Sequence, residues 1–299
     1  MLSIDRHKVL FLHTLGCGVR IECRDPEALE LLIVNYGQMQ VDKSGYPDIQ
    51  YTVSRSRKTS GFRIRRHGSE PLMAMDDGEF LFLFEKNLTI ELQKLRRDLY
   101  FVHAAALADS DGAFLLVGAS GKGKSTTTWA LLHHGFDYLS DELAPLDLDS
   151  LEVQPYSHAL CLKKEPPRPY SVPDKILRTS STLHIPTPQL SSTVVLKPMP
   201  VKAIFFLEYW PDLPIPNARR LTKAETAARL FTHALNPLAH AEDGLAGAVA
   251  VADKVPSFRL DAANLRPTCE LIGRTLKKAG QMSVYWSPAA DPLSPHHEP

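Results

Sequence analysis

The strongest chemical signal in the chain is the run Gly118-Ala119-Ser120-Gly121-Lys122-Gly123-Lys124-Ser125. It matches G-x-x-x-x-G-K-[ST] at every fixed position, with an apolar strand-like run before it and a helix-like run after it. Glycines at 118, 121 and 123 free the backbone to curl, so that successive N–H groups can converge on an anion. A helix opening near Lys124 adds the positive end of its dipole at the same point. Lys124 offers a compact charge for the β- and γ-phosphates of a nucleotide, and Ser125 a hydroxyl for Mg²⁺. Ala119, Ser120, Lys122 and Thr126 complete the segment expected to line the nucleotide. The chemistry implied is binding of a nucleoside triphosphate, ATP with magnesium.

An acidic pair, Asp141-Glu142, follows Ser125 by sixteen residues. It comes just after the apolar run Phe136–Leu139, and the carboxyl ends of strands form the ligand edge of an open α/β sheet. One carboxylate there could hold Mg²⁺ while its neighbour takes the proton of an incoming hydroxyl. Phosphoryl transfer to a hydroxyl needs that division, because the metal neutralises phosphate charge while the base orients the nucleophile. Ser125, Asp141 and Glu142 are accordingly the candidate metal ligands. His103 lies in Phe101-Val102-His103-Ala104-Ala105-Ala106, where its surroundings alone read as those of a core histidine. Lys163 closes the run Leu160-Cys161-Leu162, and both a solvated strand end and a phosphate contact are open to it.

A sheet must hold these residues, and the pattern around them supplies one. Strand-length runs at Tyr100–Leu107 and Ala113–Val117 flank the turn Asp109-Ser110-Asp111-Gly112. After the loop come a helix over Ser125–His134 and the strand Phe136–Leu139, expected beside the loop strand. Residues 1–95 read as a separate small α/β domain. Strands at Val9–His13 and Val19–Cys23 lead to a helix over Glu27–Asn35, opened by Asp25-Pro26 and closed by Gly37. The basic stretch with Arg55, Arg57, Lys58, Arg63, Arg65 and Arg66 alternates over Gly61–Arg65, as a strand with one solvated charged face does. A helix over Leu88–Arg97 leads into a second domain, residues 96–287. Within it, residues 164–200 are rich in Pro, Ser and Thr and read as a long irregular connection of the lid type. Returning strands are expected at Val194–Leu196 and Lys202–Glu208, then a helix from the capping box Thr222–Glu225 to Leu235, and a last helix near Cys269–Lys278. Residues 288–299 read as a disordered tail in which His296 and His297 are solvated.

Composition narrows the class. Of 299 residues, 34 are basic and 34 acidic, so no net charge draws the chain to nucleic acid or an anionic membrane. Cys17, Cys23, Cys161 and Cys269 are scattered without zinc-ligand spacing, which suits a reducing cytosol. No apolar run approaches the roughly 18 residues of a membrane span. The apolar run at Val9–Leu12 is interrupted by His13 and preceded by Asp5, unlike an export signal. A cytoplasmic protein is expected.

The stretch from His103 to Lys163 resembles the catalytic domain of the HPr kinase/phosphorylase superfamily. It is most similar to the HPr-kinase-related proteins. A histidine followed by small residues (His103-Ala104-Ala105), the glycine loop and Leu139-Ser140-Asp141-Glu142 carry the resemblance. Ala119 and Glu142 stand where HPr kinases proper have aspartates. The resemblance implies an α/β, P-loop nucleotide-binding domain of the type shared with phosphoenolpyruvate carboxykinase, and a homo-oligomer. It places His103 near the phosphates, makes Asp141 the base for the acceptor hydroxyl, and has Glu142 help to hold magnesium. The expected function is an ATP-dependent kinase acting on a serine-like hydroxyl of a protein, peptide or small molecule. A small-metabolite kinase, a P-loop ATPase and a nucleotide-binding accessory module are the alternatives.

Overall fold

The computed structural model describes residues 8–42, 45–56 and 60–284. Asp5, Arg57, Lys58 and the tail with His296 and His297 lie outside the described residues.

Strands β1 (Lys8–Thr14) and β2 (Cys17–Cys23) form a hairpin whose turn residues, Leu15 and Gly16, both have positive φ. Helix α1 (Pro26–Tyr36) starts where the Asp25 carboxylate accepts the Ala28 N–H, with Pro26 at the first helical position. Gly37 does not stop it in a left-handed conformation; at φ −56° it opens a short 3₁₀ turn instead. The strands β3 (Gln40–Val41), β4 (Ile49–Arg55), β5 (Phe62–Arg66) and β6 (Leu72–Ala74) complete a six-stranded sheet ordered β3-β1-β2-β4-β5-β6. In β5, Phe62 and Ile64 are buried and Arg63 and Arg65 exposed, so the charged face is solvated. Helix α2 (Asp77–Leu95) is much longer than the expected Leu88–Arg97. Its first half, Phe80-Leu81-Phe82-Leu83-Phe84, is apolar on every side and hides the helical period. Phe80, Phe84, Leu88 and Leu92 are fully buried and pack with the sheet, while Phe82 is left exposed.

The rest of the described chain builds a nine-stranded mixed sheet. In chain order its elements are β7 (Leu99–Val102), β8 (Ala104–Asp109), β9 (Gly112–Val117), α3 (Lys124–Leu132), β10 (Asp137–Ser140), β11 (Ala144–Asp147) and β12 (Glu152–Val153). There follow β13 (Leu160–Leu162), β14 (Leu177–Arg178), β15 (Leu183–Ile185), β16 (Met199–Tyr209), β17 (Asn217–Arg220), α4 (Lys223–Thr232), α5 (Leu245–Lys254), β18 (Ser257–Ala262) and α6 (Leu265–Val284). The order is β10-β8-β9-β16-β12-β11-β7, with β18 also on β16 and β17 on β18, while β13, β15 and β14 form a small separate sheet.

Strand β9 shows why its sequence is apolar throughout. Phe114 and Leu116 join a cluster with Trp129, Leu132 and Ile272 from α3 and α6, whereas Ala113, Leu115 and Val117 join Leu230, Ala248 and Val251 from α4 and α5. Both faces are covered, so no polar alternation survives. Strand β9 is parallel to β16 and antiparallel to β8, which is antiparallel to β10; β18 is parallel to β16. The carboxyl ends of β9, β10, β16 and β18 therefore share one sheet edge with the amino end of β8.

Several expectations need correction. The run Tyr100–Leu107 is not one strand: it breaks at His103 into β7, which pairs with β11, and β8, which pairs with β9 and β10. Strand β10 lies beside β8, not beside the loop strand. Residues 164–200 carry β14, β15 and a 3₁₀ turn at Thr187–Gln189, while Val194 makes only an isolated bridge to Tyr138. Helix α4 has its capping box but ends at Thr232, and Leu235 turns back to donate its N–H to the Phe101 carbonyl. Helix α5 and strands β17 and β18 are additional. The core of the first sheet also takes in Leu99, Phe101, Leu143 and Tyr156, so apolar packing continues across the junction. No helix among the described residues is long and apolar enough to cross a membrane.

Candidate functional site

Strand β9 runs out at Val117, and Gly118 leaves it pressed against β16. A Cβ at Gly118 would stand 2.9 Å from the Leu207 carbonyl oxygen, so glycine is required by close approach. Gly121 and Gly123 have φ of +84° and +91°, the left-handed region that lets the chain curl back on itself. Gly123 is the N-cap of α3, and having no side chain it leaves the first N–H groups of the helix uncapped. Such groups and the helix dipole favour an anion. Ala119, Ser120 and Gly121 form an exposed rim, while Ser125 and Thr126 are half-buried in the first turn of α3.

Lys124 is buried, and its Nζ donates to the Gly118 carbonyl at 2.8 Å, folding the side chain back under the loop. Nζ also lies 3.3 Å from His103 Nε2, which is 2.8 Å from Glu142 Oε2. When Nε2 carries the proton it donates to Glu142, and the ammonium stands beside the ring without bonding it. His103 is thus not a core histidine of a strand. It occupies the break between β7 and β8, at the edge where Asp141 and Glu142 leave β10. Lys163, at the end of β13, donates to Ser120 Oγ at 2.8 Å and so reaches the rim of the loop.

Asp141 is wholly buried. Its Oδ2 accepts the Cys161 N–H at 3.2 Å, while Oδ1 has no hydrogen-bond partner. Burial, and then the neighbouring Glu142 charge, push its carboxyl up to about 7, against the opposing pull of His158, the Cys161 amide and Ser125. Burial would also raise Glu142, but the His103 hydrogen bond and the Lys124 charge outweigh it and hold that carboxyl below its usual range. Burial lowers Lys124, with Glu142 and Asp141 opposing. The two acids are therefore driven apart, one toward the neutral form and one held as carboxylate.

Ser125, Asp141 and Glu142 offer only oxygen, the donor set that Mg²⁺ prefers. Among the described residues no three His, Cys, Asp or Glu side chains converge as a metal cage, so such an ion would draw most of its ligands from phosphate and water. The structure also brings in residues that motif spacing did not single out. Glu208, near the end of β16, pairs with the loop's Lys122 at 2.9 Å; Tyr209 is the last residue of that strand and Trp210 follows it. Only sheet pairing makes these neighbours. A cavity lined by Thr14, Gln38, Gln154 and Ser157, among others, contains none of the candidate residues.

Neither a protein-family model nor a curated protein matches this chain. Among solved structures, the chain is similar to the Hpr(Ser) kinase/phosphatase from Coxiella burnetii, at 15% sequence identity over 62% of this chain and 98% of that one, with a TM-score of 0.34.

Proposed function

We propose that the chain binds ATP with Mg²⁺ on Gly118–Ser125 and transfers the γ-phosphoryl group to a serine-like hydroxyl of a protein, peptide or small molecule. The observation that supports this best is the convergence, at one sheet edge, of the curled loop, Lys124, His103 and Glu142 in contact, and Asp141 with an unpartnered buried oxygen. In this reading the loop N–H groups and Lys124 hold the β- and γ-phosphates and spread their charge. Ser125 and Glu142 hold the metal, which supplies charge neutralisation at the transferring group. His103 keeps Glu142 and Lys124 in register. Asp141, whose raised pKa of about 7 makes its ionised form a stronger base than an ordinary carboxylate, takes the acceptor's proton as the hydroxyl oxygen bonds to the γ-phosphorus and ADP leaves. The proposed layout sets this nucleotide domain, residues 96–287, beside an N-terminal unit of residues 1–95.

The test is calorimetry with Mg-ATP on the wild type and on Lys124→Ala, which loses charge-assisted contacts of about 1.5–3 kcal/mol each. Affinity is expected to fall by roughly a hundredfold or more; an unchanged affinity refutes the loop assignment. Incubation with labelled ATP and a lysate then identifies the acceptor. Release of free phosphate alone, with no labelled acceptor, would favour an ATPase instead.

A further inference from the structure

The loop and the acids account for the triphosphate but leave the nucleoside without a partner. Strand order gives it a direction. The acids follow β10, which lies on the β8 side of β9, and β16 lies on the other side. If the γ-phosphate faces Asp141 and Glu142, the α-phosphate and nucleoside leave on the side of β16. There the strand ends in Glu208-Tyr209, with Trp210 directly after it, and Lys122 binds Glu208 at 2.9 Å. The Tyr209 Cβ is 3.8 Å from where a side chain on Gly123 would begin, so the aromatic pair starts at the loop itself.

Trp210 is held firmly for so open a residue. Its backbone N–H donates to the Ala262 carbonyl at 3.0 Å and its indole N–H to Asp261 Oδ1 at 3.2 Å. Asp261 is in turn fixed by Arg259 at 2.9 Å. Even so, Trp210 and Tyr209 are each 47% exposed. The Lys122 ammonium stands 5.9 Å from the centre of the Trp210 ring, linking the ring to the loop a second time. A half-exposed ring anchored at its polar edge is preorganised for stacking.

We propose that Trp210, with Tyr209 beside it, is the shelf on which the purine base of the bound nucleotide stacks. The proposal rests on the triphosphate lying in the glycine loop, and adds a base-recognition site on β16. Stacking rewards the larger π-face, so ATP is bound more tightly than CTP, and both more tightly than bare tripolyphosphate.

The experiment measures binding of Mg-ATP and of Mg-tripolyphosphate to the wild type, Trp210→Ala, Trp210→Phe and Lys124→Ala, with tryptophan fluorescence recorded alongside. Trp210→Ala is expected to weaken ATP about tenfold, the usual scale for one base–aromatic stack, and to leave tripolyphosphate unchanged. Trp210→Phe keeps a stacking ring, so it should retain ATP affinity but lose the fluorescence change that ATP produces in the wild type. Two results overturn the shelf while leaving the loop intact: unaltered ATP affinity in Trp210→Ala, or equal weakening of ATP and tripolyphosphate, provided Lys124→Ala loses both ligands. A wild type that binds neither ligand overturns the shelf and the loop reading together.

Discussion

Replacing Asp141 by Asn should make the protein more stable and at the same time inactive. The carboxyl is wholly buried, one oxygen has no partner, and a second acid follows it directly. Its rise from the ordinary 3.8 to about 7 means that the folded state binds a proton the unfolded state has released. Stability from this group is therefore complete below about pH 4 and is lost as the pH rises through about 7. The full difference corresponds to roughly 4 kcal/mol. Coupling to Glu142 and the amide's own need for partners reduce it, so about 2 kcal/mol is expected at pH 8, with little difference at pH 4. For a protein of this size that is a rise in Tm of about 5 °C at pH 8. Thermal unfolding of wild type and Asp141→Asn at pH 4, 6 and 8, followed by circular dichroism, measures it directly. The stability gain should grow with pH while phosphoryl transfer is lost and Mg-ATP binding is kept. A variant no more stable than wild type at pH 8, or a gain that shrinks as pH rises, would refute the picture of a desolvated carboxylate with an unpartnered oxygen; full activity would remove Asp141 from the role of base.

The remaining expectations concern the loop and the first core. Gly118→Ala should weaken nucleotide binding roughly tenfold or more, because its methyl group meets the Leu207 carbonyl at 2.9 Å and must push the loop off β16; calorimetry showing wild-type affinity would contradict that close approach. Phe84→Ala removes a fully buried ring in contact with Tyr36, Tyr51 and Phe80, and urea unfolding should show a loss of about 3–5 kcal/mol. A loss under 1 kcal/mol would mean that α2 is not packed as described.

How much was legible in the sequence followed the range of each signal. The glycine loop could be read locally, because positive φ at Gly121 and Gly123 and an uncapped helix start are properties of adjacent residues. Asp25 opening α1 and the capping box at Thr222 were legible for the same reason. Helix α2 was half hidden because its apolar start has no polar face to mark the period, and burial against a sheet does not require one. His103 read as a core residue because its neighbours are apolar; only the break between β7 and β8, which pair with different strands, turns it toward Glu142.

By itself the sequence determined the chemistry on offer: a backbone able to cradle phosphate, a lysine, a hydroxyl and two carboxylates. The tertiary structure decided which of them meet and in what electrostatic state. Strand β8 intervenes between the loop strand and β10, and two antiparallel steps set both carboxyl ends at one edge. Burial then raises Asp141, while at Glu142 the His103 hydrogen bond and the Lys124 charge outweigh the same burial and hold that carboxyl ionised. Proximity between distant segments and exclusion from water belong to the packed sheet, and no local pattern of residues carries them.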